Sequence, residues 1–146
     1  MLFITKSVEF SASHRLFNPE WDFEKNNAIY DKCNNPNGHG HNYVLEVTVK
    51  GIPDPDTGYV IDLKKLKDLL TKHILILVDH KHLNKDVDFL KGVIPTVENI
   101  VVLFWDEIKK HITDGELYKL KLYETPNSWV EYYGEPVDIK RLEYGE

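Results

Sequence analysis

The chain has 146 residues, one cysteine and a formal net charge of −6, which is most simply one domain spanning 1–146, long enough to bury a core without a disulfide. Two arginines, Arg15 and Arg141, against 24 acidic groups argue against a nucleic-acid surface. No N-terminal apolar run resembles a signal peptide, because Lys6 and Glu9 interrupt it, and apolar clusters such as Ile74 to Val78 are too short to span a bilayer, so no membrane association and a cytoplasmic protein are expected.

From Phe3 to Ser13 the even positions Ile4, Val8, Phe10 and Ala12 are apolar, broken by Lys6, which predicts a strand with His14 continuing the apolar phase. Asn18-Pro19-Glu20 is a helix-start signal, with Asn18 as N-cap, and Phe23, Asn27 and Tyr30 follow at helical spacing. Cys33-Asn-Asn-Pro-Asn-Gly-His-Gly-His-Asn-Tyr43 is turn-rich and can fold Cys33 back towards His39 and His41. If the chain is extended there, both imidazoles point to one side.

Asn42 to Lys50 alternates as a second strand, with Tyr43, Leu45, Val47 and Val49 on the face shared by the two histidines. A turn cluster from Gly51 to Gly58 follows. Asp62 then caps a helix whose stripe is Leu63, Leu66, Leu70, Ile74 and Leu77, delivering Asp79 and His80 at its end. His82 to Gly92 reads as surface loop. Thr96 caps a second helix with Val97, Ile100, Val101, Phe104 and Ile108 on its buried side. Tyr118 to Glu124 and Ser128 to Tyr133 form a hairpin, and 135–146 reads as an appendage. The order ββααββ predicts an α+β domain, a four-stranded antiparallel sheet with two long helices on one face.

His14, His39 and His41 are the candidate metal set, since three imidazoles with a fourth position open is the catalytic zinc pattern. Cys33 has two readings, a fourth ligand closing a structural site or a reactive thiol off the metal, and spacing does not separate them. Asp79-His80 is either a solvated helix end or a general acid/base pair. Glu124 is ordinarily solvated there, yet could accept paired N–H groups from an amino-heterocycle.

Five ordered motifs carry a resemblance from about Val8 to Glu135: Phe10 to Leu16, Cys33 to Tyr43, Val78 to Asn84, Pro95 to Asn99 and Leu122 to Thr125. With these the chain resembles the 6-pyruvoyltetrahydropterin synthase and 6-carboxytetrahydropterin synthase family. The resemblance implies the tunnelling fold, with sheets joined into a barrel in a homo-hexamer of two stacked trimers and active sites between subunits. It implies Zn2+ on His14, His39 and His41, Cys33 as catalytic base, Asp79 and His80 in proton transfer, and Glu124 anchoring the pterin with Thr96 and Thr125 nearby. The Glu124 serving a given zinc could then come from another chain.

The implied substrate is 7,8-dihydroneopterin triphosphate, converted to 6-pyruvoyltetrahydropterin with elimination of triphosphate by a zinc-dependent lyase. The carboxy branch instead releases acetaldehyde on the way to queuosine, and the long Cys33 to His41 loop resembles the pyruvoyl branch. From other classes, the competing readings are a non-catalytic pterin-binding or structural-zinc protein and a zinc-water hydrolase. Arg15 and Lys32 lie close in sequence to the site and are candidate partners of the triphosphate.

Overall fold

The computed structural model describes residues 1–143. Its elements in chain order are β1 (Leu2–His14), α1 (Phe23–Tyr30), β2 (His39–Gly51), α2 (Leu63–Leu70), a π-helical turn (Thr71–Leu75) running into α3 (Ile76–Val78), β3 (Lys81–His82), α4 (Val97–Lys109), β4 (Glu116–Thr125) and β5 (Ser128–Tyr132). The strands form one sheet in the order β3-β1-β2-β4-β5. It therefore has five strands, not the expected four, and is mixed, because β3 runs parallel to β1 through Ala12↔Lys81 and Ser13↔His82.

The expected surface loop after His80 is where the extra strand arises. Leu83, Val87 and Leu90 are buried there, and anchoring them draws the segment onto the edge of β1. His80 takes a left-handed backbone (φ 60°), and its N–H donates to the Ser11 carbonyl at 2.6 Å, which starts the pairing. A non-glycine residue there carries some strain.

The alternation read in β1 and β2 places the core. The strands pair antiparallel with Val8↔Leu45, Phe10↔Tyr43, Ala12↔His41 and His14↔His39, so directly opposed residues share one face. Val8, Phe10, Ala12, Tyr43, Leu45, Val47 and Val49 are all buried on it. Phe10 stacks on Tyr43 (centroids 4.8 Å, 9°) and meets Phe104 of α4 edge-on at 5.8 Å. Packing the amphipathic helices on this face leaves the histidines at the end of the apolar row, where core gives way to cleft.

β4 enters the same core with a bulge opposite Thr48/Val49, which turns both Leu117 and Leu120 inward. The helix caps at Asp62 and Thr96 are as read, with side chains accepting from the N–H groups of Lys64 and Asn99. That at Asn18 is not. Asp22 caps α1 instead, accepting from Lys25 N at 2.8 Å, while buried Asn18 exchanges hydrogen bonds with Asn26, its N–H donating to Asn26 Oδ1 (2.7 Å) and its carbonyl accepting from Asn26 Nδ2 (2.9 Å). An amide pair across the entry turn outcompetes the local cap.

The tail after Glu135 has no regular structure as far as it is described, yet Leu142 is buried and its N–H donates to Gly92 O at 2.7 Å. Of the segment read as an appendage, 144–146 lie outside the described residues.

Candidate active site

His14 closes β1 and is fully buried. Its Nδ1 lies 2.8 Å from the Pro95 carbonyl, which can only accept, so the ring proton sits on Nδ1 and the Nε2 lone pair points outward. That Nε2 is 3.0 Å from His39 Nε2. The Tyr43 hydroxyl stands 3.3 Å from His14 Nδ1 on the opposite side from the cleft. Burial, then the neighbouring His39 and His41, pushes the His14 pKa down to about 4, against the opposing bond to Pro95. A neutral imidazole with its second nitrogen bonded to a carbonyl is how proteins orient a metal-ligating histidine.

His39 and His41 come from the start of β2, separated by exposed Gly40, and their rings stand 4.9 Å apart. Burial lowers the His41 pKa, His39 lowers it further, and Glu124 opposes both. One ligand nitrogen from each of His14, His39 and His41 lies within 4.8 Å of the others, a group capable of holding a metal among the described residues. His41 Nε2 and His39 Nδ1 are buried without a hydrogen-bond partner there, a situation that costs about 1–3 kcal/mol per group unless something else satisfies it. Bonds of about 2.0–2.1 Å to a tetrahedral ion set neighbouring nitrogens roughly 3.3 Å apart. The donor set therefore fits a metal of the kind that imidazole favours, zinc among them.

The loop before β2 brings Cys33 to the same place. A 3-10 turn (Asp31–Asn34) carries it, Leu16 N–H donates to the Cys33 carbonyl at 2.8 Å, and Arg15 clamps Asn34 through Nε to the carbonyl (3.0 Å) and Nη2 to Oδ1 (3.0 Å). Gly38 closes the loop at φ 74°, and a Cβ there would stand 3.1 Å from both the His14 carbonyl and His82 Nε2. The half-buried thiol lines a cavity of about 570 Å³ together with Phe23, Asn27, Asp31, His39 and His41. Cys33 stays outside the three-nitrogen group. Burial first, then the carboxylates of Glu124 and Asp31, pushes its pKa up.

Glu124 reaches the cluster from β4. It follows Leu120 and Leu122 on the inner face, and pairing with β5 skips it, Tyr123↔Trp129 giving way to Thr125↔Ser128. Its Oε1 lies 3.8 Å from His41 Nε2 of the same chain. Thr125 is turned to the hairpin, accepting from Asn127 N at 3.3 Å, and Thr96 is engaged as the α4 cap.

Asp79 and His80 are not drawn into this cleft. Asp79 Oδ1 accepts from Ser11 N at 2.9 Å and faces His80 Nδ1 at 3.0 Å, with His80 exposed and Asp79 half-buried at the outer edge of β1. The bond from Ser11, then His80, lowers the Asp79 pKa. Among the described residues no hydrogen bond, ion pair or ring contact joins the pair to Cys33 or to His14, His39 and His41. The orienting Pro95 carbonyl and Tyr43 were not foreseen as parts of the site. Tyr43 alone carried a signal, since it shares the phase of His39 and His41.

Fold and site together define an α+β protein with three converging imidazoles, the Glu124 carboxylate beside one of them, and a thiol in a ligand-sized cleft that His39 and His41 also line. The model of the family described as 6-pyruvoyl tetrahydropterin synthase matches residues 3–135. A human protein named 6-pyruvoyl tetrahydrobiopterin synthase is 46% identical over 132 residues, covering 90% of this chain and 91% of its own. A Rickettsia bellii protein named 6-carboxy-5,6,7,8-tetrahydropterin synthase is 31% identical over 90% of this chain and 99% of its own. The solved Caenorhabditis elegans 6-pyruvoyl tetrahydropterin synthase superposes with a TM-score of 0.86 at 38% identity, over 92% of this chain and 96% of that one. The chain belongs to the 6-pyruvoyl tetrahydropterin synthase family.

Proposed function

We propose that this protein is a zinc-dependent 6-pyruvoyltetrahydropterin synthase, a carbon–oxygen lyase that eliminates triphosphate from 7,8-dihydroneopterin triphosphate. The observation that carries the reading is the convergence of three ligand nitrogens within 4.8 Å beside a thiol that stays off them. The pyruvoyl branch is favoured over the carboxy branch by relatives named for it at 46% identity, against 31% and 32% for relatives named for the other.

His14, His39 and His41 hold the metal, with Pro95 fixing the His14 tautomer. Bound zinc would supply a Lewis acid that lowers the pKa of the substrate's side-chain hydroxyls. Glu124 accepts the paired N–H groups of the pterin ring, which turns the substrate side chain towards the histidines and Cys33. Those hydrogen bonds also draw on the carboxylate charge that otherwise disfavours the thiolate. Cys33 then takes the side-chain proton as base, and triphosphate departs. Thr96 and Thr125 belong to the surrounding shell.

Asp79 and His80 complete proton transfer in a homo-oligomer, taken to be a hexamer of two trimers closing the sheets into a barrel. Support for a shared site is their place at the outer edge of β1, away from their own Cys33. Glu124 needs no neighbour, because it already stands beside its own His41. A reducing cytoplasm suits an unpaired catalytic thiol, and among the described residues no helix is long and apolar enough to cross a membrane.

The test is turnover. Zinc-loaded protein incubated with 7,8-dihydroneopterin triphosphate should release triphosphate and 6-pyruvoyltetrahydropterin without acetaldehyde. Acetaldehyde in step with triphosphate would move the protein to the carboxy branch, and no turnover would sink the enzymatic reading.

A further inference from the structure

The family match ends at residue 135, yet the segment that follows is pinned to the body of the protein. It leaves β5, one edge of the sheet, where the Tyr132 hydroxyl donates to the Glu135 carbonyl. Gly134 lies against the Trp105 indole of α4, where a Cβ would overlap the ring. Ile139 then packs on the core, and the chain ends its described course against the turn at 89–92. There Arg141 donates Nη1 to the Lys91 carbonyl (2.7 Å) and Nη2 to the Phe89 carbonyl (3.0 Å). Leu142 is only 6% exposed, and its N–H donates to the Gly92 carbonyl at 2.7 Å. A Cβ on Gly92 would stand 2.7 Å from the Leu142 carbonyl oxygen, so the approach depends on that glycine.

The receiving segment follows β3, at the opposite edge of the sheet. β3 has two residues, and His80 enters it in a left-handed backbone. Leu83 N–H donates to Ser13 O at 2.8 Å, but from Lys85 to Val93 the backbone donors at Lys85, Asp86, Leu90, Lys91 and Val93 all turn back to residues 82–90 of the same stretch. The carbonyls of Phe89, Lys91 and Gly92 are the acceptors that the tail engages. The tail thus braces one sheet edge against the other across α4. An irregular segment held by one buried leucine and three carbonyl bonds recovers little more than the entropy lost in ordering it. It therefore opens far more readily than the sheet does.

We infer that residues 136–142 form a latch, opening and closing as a unit, that sets how firmly the β3 edge and the 83–93 segment behind it are docked on β1. Because β3 directly follows His80, the latch also governs the placement of that side chain. This second half rests on the function proposed above, in which His80 takes part in proton transfer.

The test is hydrogen exchange read by mass spectrometry on full-length wild type, Arg141→Ala, Leu142→Ala, Leu142→Met and Lys140→Ala. All four changes lie in the tail, outside the packed sheet. Arg141→Ala and Leu142→Ala should speed exchange across 83–93 by about tenfold, with β2 and β4 at wild-type rates. Leu142→Met should keep the wild-type pattern, as a volume-conserving swap does. So should Lys140→Ala, since its ion pair with Glu20 (3.2 Å) is exposed and contributes little. Faster exchange confined to the tail, or equally fast exchange in β2 and β4, would overturn the inference. In turnover of 7,8-dihydroneopterin triphosphate, Leu142→Ala should lower kcat with KM unchanged, and Leu142→Met should restore it. An unchanged kcat beside loosened 83–93 would overturn the half that concerns His80. Absence of turnover in wild type, with the exchange response intact, would sink the pterin reading alone.

Discussion

His14 shows how one residue joins core to chemistry. It is fully buried, its Nδ1 proton is committed to Pro95, and its pKa of about 4 lies below the ordinary 6.5. The unfolded chain therefore takes up a proton between those values that the folded chain refuses. Metal-free protein should be insensitive to this group above pH 6.5 and should lose stability as pH falls towards 4, by about 3 kcal/mol in all. Urea unfolding of chelated protein across that window checks it, with His14→Gln giving a shallower slope. An identical slope in the variant would contradict the account. Tyr43 tests the support beneath: Tyr43→Phe keeps the stacking on Phe10 and should leave the metal bound, since the Pro95 carbonyl alone suffices to orient His14.

At the scale of elements, α4 does two jobs. Thr96 caps it and Phe104, fully buried, reaches down to Phe10. Thr96→Ala should cost about 1 kcal/mol, the usual value of a lost cap, and Phe104→Ala about 3–5 kcal/mol from transfer and cavity together. Thermal unfolding of the zinc-free protein separates the two. Equal costs would mean that α4 is not anchored through Phe104.

What the sequence made readable were the elements with a clean period or a side-chain cap. β1, β2, α4 and the phase that sets His14, His39 and His41 on one face all follow from local alternation. β3 was invisible because two residues carry no period, and its pairing depends on Leu83 finding the core. The bulge that turns Leu117 inward and the Asn18–Asn26 pairing that displaced the α1 cap are likewise products of distant or competing contacts. The spacing of Cys33 was equally consistent with ligand or base, and where the folded loop puts the thiol, outside the group of three nitrogens, was not readable from it.

For the molecule as a whole, Asp79 and His80 stand apart from Cys33, and the site proposed above would join them across chains. A shared site has a distinctive consequence. Mixed oligomers reassembled from inactive Cys33→Ala and inactive His80→Ala chains should regain part of the wild-type turnover, because some sites then combine an intact Cys33 with an intact His80 from a neighbour. Persistent inactivity in oligomers shown to be mixed would place both groups in one chain's chemistry.

The central claim is that holding the metal and moving the proton are separate tasks, the first belonging to the three histidines and the second to Cys33. The measurement that tests it most directly is zinc content together with turnover in purified Cys33→Ala. The account predicts one zinc per chain, as in wild type, with turnover reduced by roughly 10²- to 10⁴-fold, the usual worth of a positioned base. Loss of zinc with the thiol would contradict it, as would a Cys33→Ala protein that turns over at the wild-type rate.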